Sequence, residues 1–176
     1  MRDNVKLIKQ CQKKSEKAFD ELYRTYSSLI YGICLRYTKD EHDAQDLLQE
    51  CFIRIVNKIG DYSYKGSFEG WMRRLSVNQA LNYLKSKKQF MSEDVSEYEI
   101  IADDFNNDII SEMSAQEIIK LINKLPDGYR TVFNLHVIEG YRHTEIAEML
   151  GINDVTCRTQ FKKAREALIA LINENK

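Results

Sequence analysis

Proline occurs once in 176 residues and glycine seven times. So few turn and breaker residues argue against a chain of short strands joined by tight hairpins. Cysteine occurs four times, at Cys11, Cys34, Cys51 and Cys157, with no CxxC. That spacing supports neither a zinc site nor a disulfide framework. Three of the four fall on apolar helical positions, as expected of small buried hydrophobes in a reducing compartment. His42, His136 and His143 add no metal-ligand spacing. No apolar run approaches the roughly 20 residues of a membrane span. Residues 1–14 are polar and basic, without the apolar centre of a secretory signal. The expectation is a cytoplasmic protein that does not insert into membranes. Catalytic sets are also missing. Lys65-Gly66-Ser67 lacks the upstream glycine of a phosphate loop, the acids around Asp43 and Asp46 lack the glycine of a calcium loop, and no Ser/His/Asp or Cys/His group stands out. No enzyme, cofactor, metal or small-molecule substrate is expected.

Net charge is also nearly absent, with 26 basic against 27 acidic residues, which excludes a uniformly basic nucleic-acid binder. The charge is segregated, however. Residues 72–88 carry Arg73, Arg74, Lys85, Lys87 and Lys88 and no acid, whereas residues 91–112 carry eight acids and no base. A hydrophobic content of 43% suffices for packed cores.

Helical periodicity dominates what is present. Phe19, Leu22, Tyr23, Tyr26, Leu29, Ile30, Ile33, Cys34 and Tyr37 recur at i, i+3/i+4, with Ser15 as N-cap. Asp40 caps the next helix, which continues through Leu47, Leu48, Cys51, Phe52, Ile55, Val56 and Ile59. Residues 60–70 hold three glycines and read as a loop, overlapping the start of a helix over about 68–87. Residues 91–111 are acidic and poorly periodic, as expected of a linker. Helical pattern resumes near Ser111 with Ile118, Ile119, Ile122 and Leu125. It breaks at Pro126, continues with Val132, Phe133, Leu135 and Val137, and stops at Gly140. The fold class is all-α: two small helical domains, 1–90 and 112–176, joined by the acidic linker.

The most specific segment lies near the C-terminus. A short helix ends at Leu150. Gly151 follows, where a left-handed backbone suits glycine. Asn153 takes the N-cap position of a second helix over about 154–168. On that helix Cys157, Phe161, Ala164 and Leu168 share one side, and Arg158, Lys162 and Arg165 form an adjacent basic stripe. An apolar side seated on a core and a basic side turned outward form a helix-turn-helix, suited to the DNA major groove.

Two further helices carry unusual faces. On the helix over 68–87, Val77, Ala80, Leu81 and Leu84 lie together, while Trp71, Leu75, Asn78 and Asn82 lie on another side with Arg74 and Lys85 between. Asparagine amides read base edges, an indole stacks on a base and cations hold phosphates. The same residues also suit a core-completing tryptophan beside solvated asparagines, and composition leaves both open. Asp43, Asp46, Gln49 and Glu50 form a polar row that suits either a docking face or a solvated surface.

In order and motif, the chain resembles the extracytoplasmic-function group of the sigma-70 family of bacterial transcription initiation factors. The stretch from Asp43 to Phe52 looks like the region 2 segment that docks on the RNA polymerase clamp helices. The segments from Gly66 to Arg74 and from Val77 to Leu84 look like those that open and read the minus-ten element. The stretch from Leu125 to Phe133, with the helix-turn-helix, looks like region 4, which binds the minus-thirty-five element. The resemblance implies polymerase contact by Asp43, Asp46, Leu47, Gln49 and Glu50. It implies minus-ten contact by Trp71, Arg73, Arg74, Asn78, Asn82 and Lys85, and minus-thirty-five contact by Thr156, Arg158, Thr159, Lys162, Lys163 and Arg165. Implied partners are core RNA polymerase, promoter DNA and an anti-sigma factor. The second helix opens Asp154-Val155-Thr156-Cys157-Arg158-Thr159-Gln160-Phe161, where the family often has a small residue before threonine and Lys/Arg-Ser after it. The promoter sequence that it reads does not follow from the resemblance.

Overall fold

The computed structural model describes residues 3–87 and 114–174. Every regular element among them is helical, and the chain divides into two compact units after Tyr83. The expected acidic linker at 91–111, with Ser111 at its end, lies outside the described residues.

The first unit opens with α1 (Asp3–Gln12), a helix that the sequence reading did not anticipate. Of its four apolar residues, Leu7, Ile8 and Cys11 share one face and are buried, while Val5 is exposed. Gln12 anchors its end, donating from Nε2 to the carbonyls of Ile59 and Tyr62, 3.1 Å each. Helix α2 (Glu16–Tyr37) buries Ala18, Leu22, Tyr26, Ile30, Ile33, Cys34 and Tyr37, most of the expected series. Ser15 occupies its N-cap backbone position without a side-chain bond. Helix α3 (Glu41–Lys58) starts as expected, with Asp40 Oδ1 accepting from the Asp43 N–H at 2.8 Å. A 3-10 turn (Ile59–Asp61) follows, and then α4 (Phe68–Ser86). Fully burying a leucine or isoleucine is worth about 1.5–3 kcal/mol, while helix propensities differ by at most about 0.7 kcal/mol for ordinary residues. The interlocked apolar rows of α2 and α3 therefore decide this unit. Helices α3 and α4 are also joined by a side-chain chain: Arg54 Nη1 donates to Gln79 Oε1 at 3.0 Å, and Gln79 Nε2 donates to Glu50 Oε2 at 2.9 Å.

The second unit contains α5 (Ala115–Asn123), α6 (Asp127–Phe133), α7 (His143–Leu150) and α8 (Asp154–Glu174). Ser114 and Glu117 form a reciprocal capping box at the start of α5. Pro126 occupies the N-cap position of α6, as the break predicted there requires. Helix α6 then widens into a π turn (Asn134–Ile138), where the Glu139 N–H reaches back to the Asn134 carbonyl at 3.0 Å. Val132 and Leu135 are buried, whereas Val137 is 53% exposed. Two positions beyond Leu135, Val137 lies about 200° round the helix from it and so points away from the buried side.

Helix α8 runs beyond the expected end at Leu168 to Glu174. The extension exists because Leu171 and Ile172 continue the apolar row onto the core of Leu121, Ile122, Leu125, Tyr129, Ala164, Ala167 and Leu168. All four cysteines are buried and free.

Candidate nucleic-acid interface

The turn between α7 and α8 is built as its residue types require. Gly151 has φ 70° and ψ 32°, the left-handed conformation that costs other residues free energy. The Ile152 N–H closes the turn onto the Ala147 carbonyl at 3.0 Å. Asn153 Oδ1 accepts from the Thr156 N–H at 2.6 Å and so caps α8. At the other end of α7, Glu145 reaches back to accept from the Arg142 N–H at 2.8 Å.

Helix α8 buries Cys157, Ala164, Ala167 and Leu168, with Phe161 half-buried beside them. Arg158, Thr159, Lys162 and Arg165 are exposed, while Thr156 and Lys163 are half-buried at the margin. Arg158 Nε donates to Asp154 Oδ2 at 2.7 Å. An exposed i, i+4 pair adds only about 0.3–0.5 kcal/mol of stability, so its consequence is geometric: it fixes the direction of the guanidinium. Lys162 lies 3.7 Å from Glu166.

A packed group of rings braces this motif from behind. His136 and His143 stack with centroids 4.1 Å apart, and Phe161 meets His136 edge-on at 4.7 Å. His136 Nδ1–H donates to the Tyr141 carbonyl at 2.8 Å. Cys157 Sγ and His143 Nδ1 are hydrogen-bonded at 3.7 Å. Burial lowers the His143 pKa first, then the charge of His136 and that of Arg158, against a smaller raising effect of Asp154. Burial and then Asp154 raise the Cys157 pKa, keeping that thiol protonated and inert at neutral pH.

The histidine shift sets a pH dependence. A folded-state pKa below the ordinary value of about 6.5 means that the unfolded chain takes up the proton first. The stability contributed by neutral His143 is present above about pH 6.5 and is lost as pH falls from there through the folded-state pKa. Amide exchange of α7 and α8 is expected to accelerate between pH 7 and pH 5.5 after correction for intrinsic rates, and to change less in His143→Gln. Equal acceleration in both proteins would contradict the assignment.

In the first unit, Asp46, Gln49 and Glu50 are exposed on α3 and Asp43 is half-buried in its first turn. Leu47 is corrected: at 1% exposed it lies in the core and offers no surface to a partner, because its position belongs to the buried row with Ala44 and Cys51. The structure adds Ile53, which is 62% exposed. It follows Asp46, Gln49 and Glu50 at i+7, i+4 and i+3, on the same side of the helix. A single exposed isoleucine is unremarkable in a sequence, so only its placement among these residues marks it.

Helix α4 buries Met72, Val77, Ala80 and Leu81. Trp71 is half-buried, 5.6 Å from the Phe68 ring and 5.4 Å from that of Tyr62. The indole is thus part of an aromatic group and partly open, sharing features of both sequence-based alternatives. Asn78 is half-buried; Arg74, Asn82 and Lys85 are exposed. Arg73 Nε donates to Glu69 Oε1 at 3.2 Å. Among the described residues no three metal-ligating side chains gather, and no helix is long and apolar enough to cross a membrane.

Residues 22–90 match the family model for Sigma-70 region 2, and residues 115–168 match that for Sigma-70, region 4. The chain is 32% identical over 174 residues to the ECF RNA polymerase sigma factor SigW of Bacillus subtilis, covering 93% of each chain. It is 27% identical over 173 residues to the ECF RNA polymerase sigma-E factor of Haemophilus influenzae, covering 92% of this chain and 91% of that one. The structure of the sigma factor RpoE from Bartonella quintana, in complex with the anti-sigma factor NepR, has a similar fold. Its TM-score is 0.55 at 15% identity, with 91% of this chain and 99% of that one covered.

Proposed function

Because this chain belongs to the extracytoplasmic-function (ECF) group of the sigma-70 family, we propose that its two units divide the work of a promoter-directing initiation factor between them. It is a transcription initiation factor that binds core RNA polymerase and directs it to specific promoters. Residues 1–90 dock on polymerase and engage the minus-ten element, residues 91–111 link, and residues 112–176 read the minus-thirty-five element.

Docking falls to the α3 stripe of Asp46, Gln49, Glu50 and Ile53, with Asp43 at its edge. Minus-ten engagement falls to α4. Unpairing a base costs a few kcal/mol, and stacking on an aromatic ring returns about 1–3 kcal/mol per base. Trp71, with Asn78 and Asn82 as base-edge partners and Arg73, Arg74 and Lys85 on phosphates, therefore offsets strand opening without nucleotide hydrolysis. Each DNA-reading unit alone binds weakly and in a salt-dependent manner. One tether makes the second contact effectively intramolecular. The acidic linker repels phosphate and is suited to a positively charged channel of polymerase. The protein is not an enzyme, acts in the cytoplasm, and is held in check by an anti-sigma factor, as the named partner of the Bartonella quintana protein suggests.

The observation that carries this reading is the pairing, in one chain, of an outward acidic–apolar stripe on α3 with an outward basic stripe on the second helix of a helix-turn-helix, α8. A stand-alone helix-turn-helix regulator needs only the second. Gel filtration of the purified chain with core bacterial RNA polymerase tests it. Co-elution at a one-to-one ratio is expected; separate elution, alongside tight duplex binding by the chain alone, would contradict it.

A further inference from the structure

Val155 is 73% exposed, the highest exposure of any large apolar side chain among the described residues. It is the second residue of α8, two positions and so about 200° round the helix from the fully buried Cys157. It faces away from the core, on the side that carries Arg158, Thr159 and Lys162. The fold has no use for a valine there. The Asn153 cap starts the helix and the buried row holds it. A β-branched residue is slightly unfavourable in a helix.

One exposed valine is unremarkable by itself, but on the outward side of α8, among Arg158, Thr159 and Lys162, it can gain only from an apolar group, which phosphates do not provide. The major groove presents one such group, the C5-methyl of thymine. We propose that Val155 is a specificity-determining residue that seats on a thymine methyl of the minus-thirty-five element. This rests on the reading of α8 as the promoter-reading helix.

The neighbouring bonds give the contact its surroundings. Asp154 holds Arg158 through Nε, which leaves the two terminal nitrogens of the guanidinium for a bidentate contact, the geometry that matches guanine O6 and N7. Thr159 donates its hydroxyl hydrogen to the Val155 carbonyl at 2.9 Å, so it offers DNA lone pairs rather than a proton. Val155 and Arg158 are neighbours at i, i+3, about 5–6 Å apart at Cβ. The base pairs that they reach are therefore adjacent or one step apart. The inferred element holds a thymine within about two base pairs of the guanine read by Arg158, the span that this Cβ spacing allows.

The test uses the full chain with core RNA polymerase. Minus-thirty-five elements are selected from a promoter library randomised at that element, with the wild type and with Val155→Ala, which keeps the helix and removes the branched methyls. Each thymine of the wild-type consensus is then replaced by deoxyuridine, which removes only the methyl. At one position, initiation by the wild type is expected to fall about fourfold, the weight of one buried methyl, while Val155→Ala shows no loss there and no preference for thymine. The same thymine preference and the same deoxyuridine loss in both proteins would overturn the inference while leaving promoter direction intact. No initiation by the wild type from any library member would overturn the promoter-directing reading, and the inference with it.

Discussion

Arg130→Ala unfolds the second unit at a denaturant concentration where the first remains intact. Arg130 is 1% exposed and Asp127 is 2% exposed, and Arg130 Nη2 donates to Asp127 Oδ1 within the first turn of α6. Its Nη1 also donates to the Asn123 carbonyl at 3.4 Å, tying α6 to the end of α5. Removing the cation leaves a carboxylate buried without its charge partner, which costs about 3–5 kcal/mol. A domain of this size has only about 5–15 kcal/mol in total, so one substitution removes a large share. The chain reports on its own units separately. Trp71 is the one tryptophan and lies in the first unit. Its fluorescence transition in urea is expected to stay in place while the far-ultraviolet helix signal gains an earlier phase. Replacing Asp127 and Arg130 together with apolar residues of similar volume is expected to recover most of the loss, since no charge then stays buried at this pair. A single variant with wild-type transitions would show that the pair does not hold this unit.

Asp46→Arg and Ile53→Asp each weaken binding to core RNA polymerase without changing folding. Both positions are exposed on α3, and surface substitutions away from caps and networks usually change stability by no more than about 0.5 kcal/mol. The effect on docking is far larger. Interface hot spots cost about 2 kcal/mol or more when removed, about 30-fold in affinity. Ile53→Asp takes away an apolar contact and places a carboxylate where water is excluded, and Asp46→Arg reverses a charge. Each is expected to reduce affinity at least 30-fold in a fluorescence competition assay. Leu47 is no substitute as a probe, because the loss of its core packing would mix unfolding with lost contact. Wild-type affinity in both variants would remove α3 from the docking face.

What the sequence made legible was mostly local. Asp40 and Asn153 bond as N-caps, and Gly151 adopts the left-handed backbone, because each depends on residues within four positions along the chain. The apolar rows of α2 and α3 were legible for the same reason. What escaped was decided by distant packing. Helix α1 buries three apolar residues from a polar stretch, and its end is anchored at Ile59 and Tyr62, some fifty residues away. The π turn at Asn134–Ile138 also escaped, since no single residue type announces such a turn. Within α3, Leu47 and Ile53 are both large and apolar, yet packing turns one inward and the other outward. The site was legible to a similar degree. The basic stripe of α8 follows from helical spacing, but the Asp154–Arg158 pair, the open Val155 and the aromatic seat of Trp71 are set by side-chain packing.

Run-off transcription tests the central claim most directly. The purified chain is added to core bacterial RNA polymerase on a library of promoter fragments, with a second sigma factor confirming that the core is active. Discrete transcripts from a subset of fragments that share a minus-ten and a minus-thirty-five element are the expected result. An active core that yields no transcript dependent on this chain would contradict it.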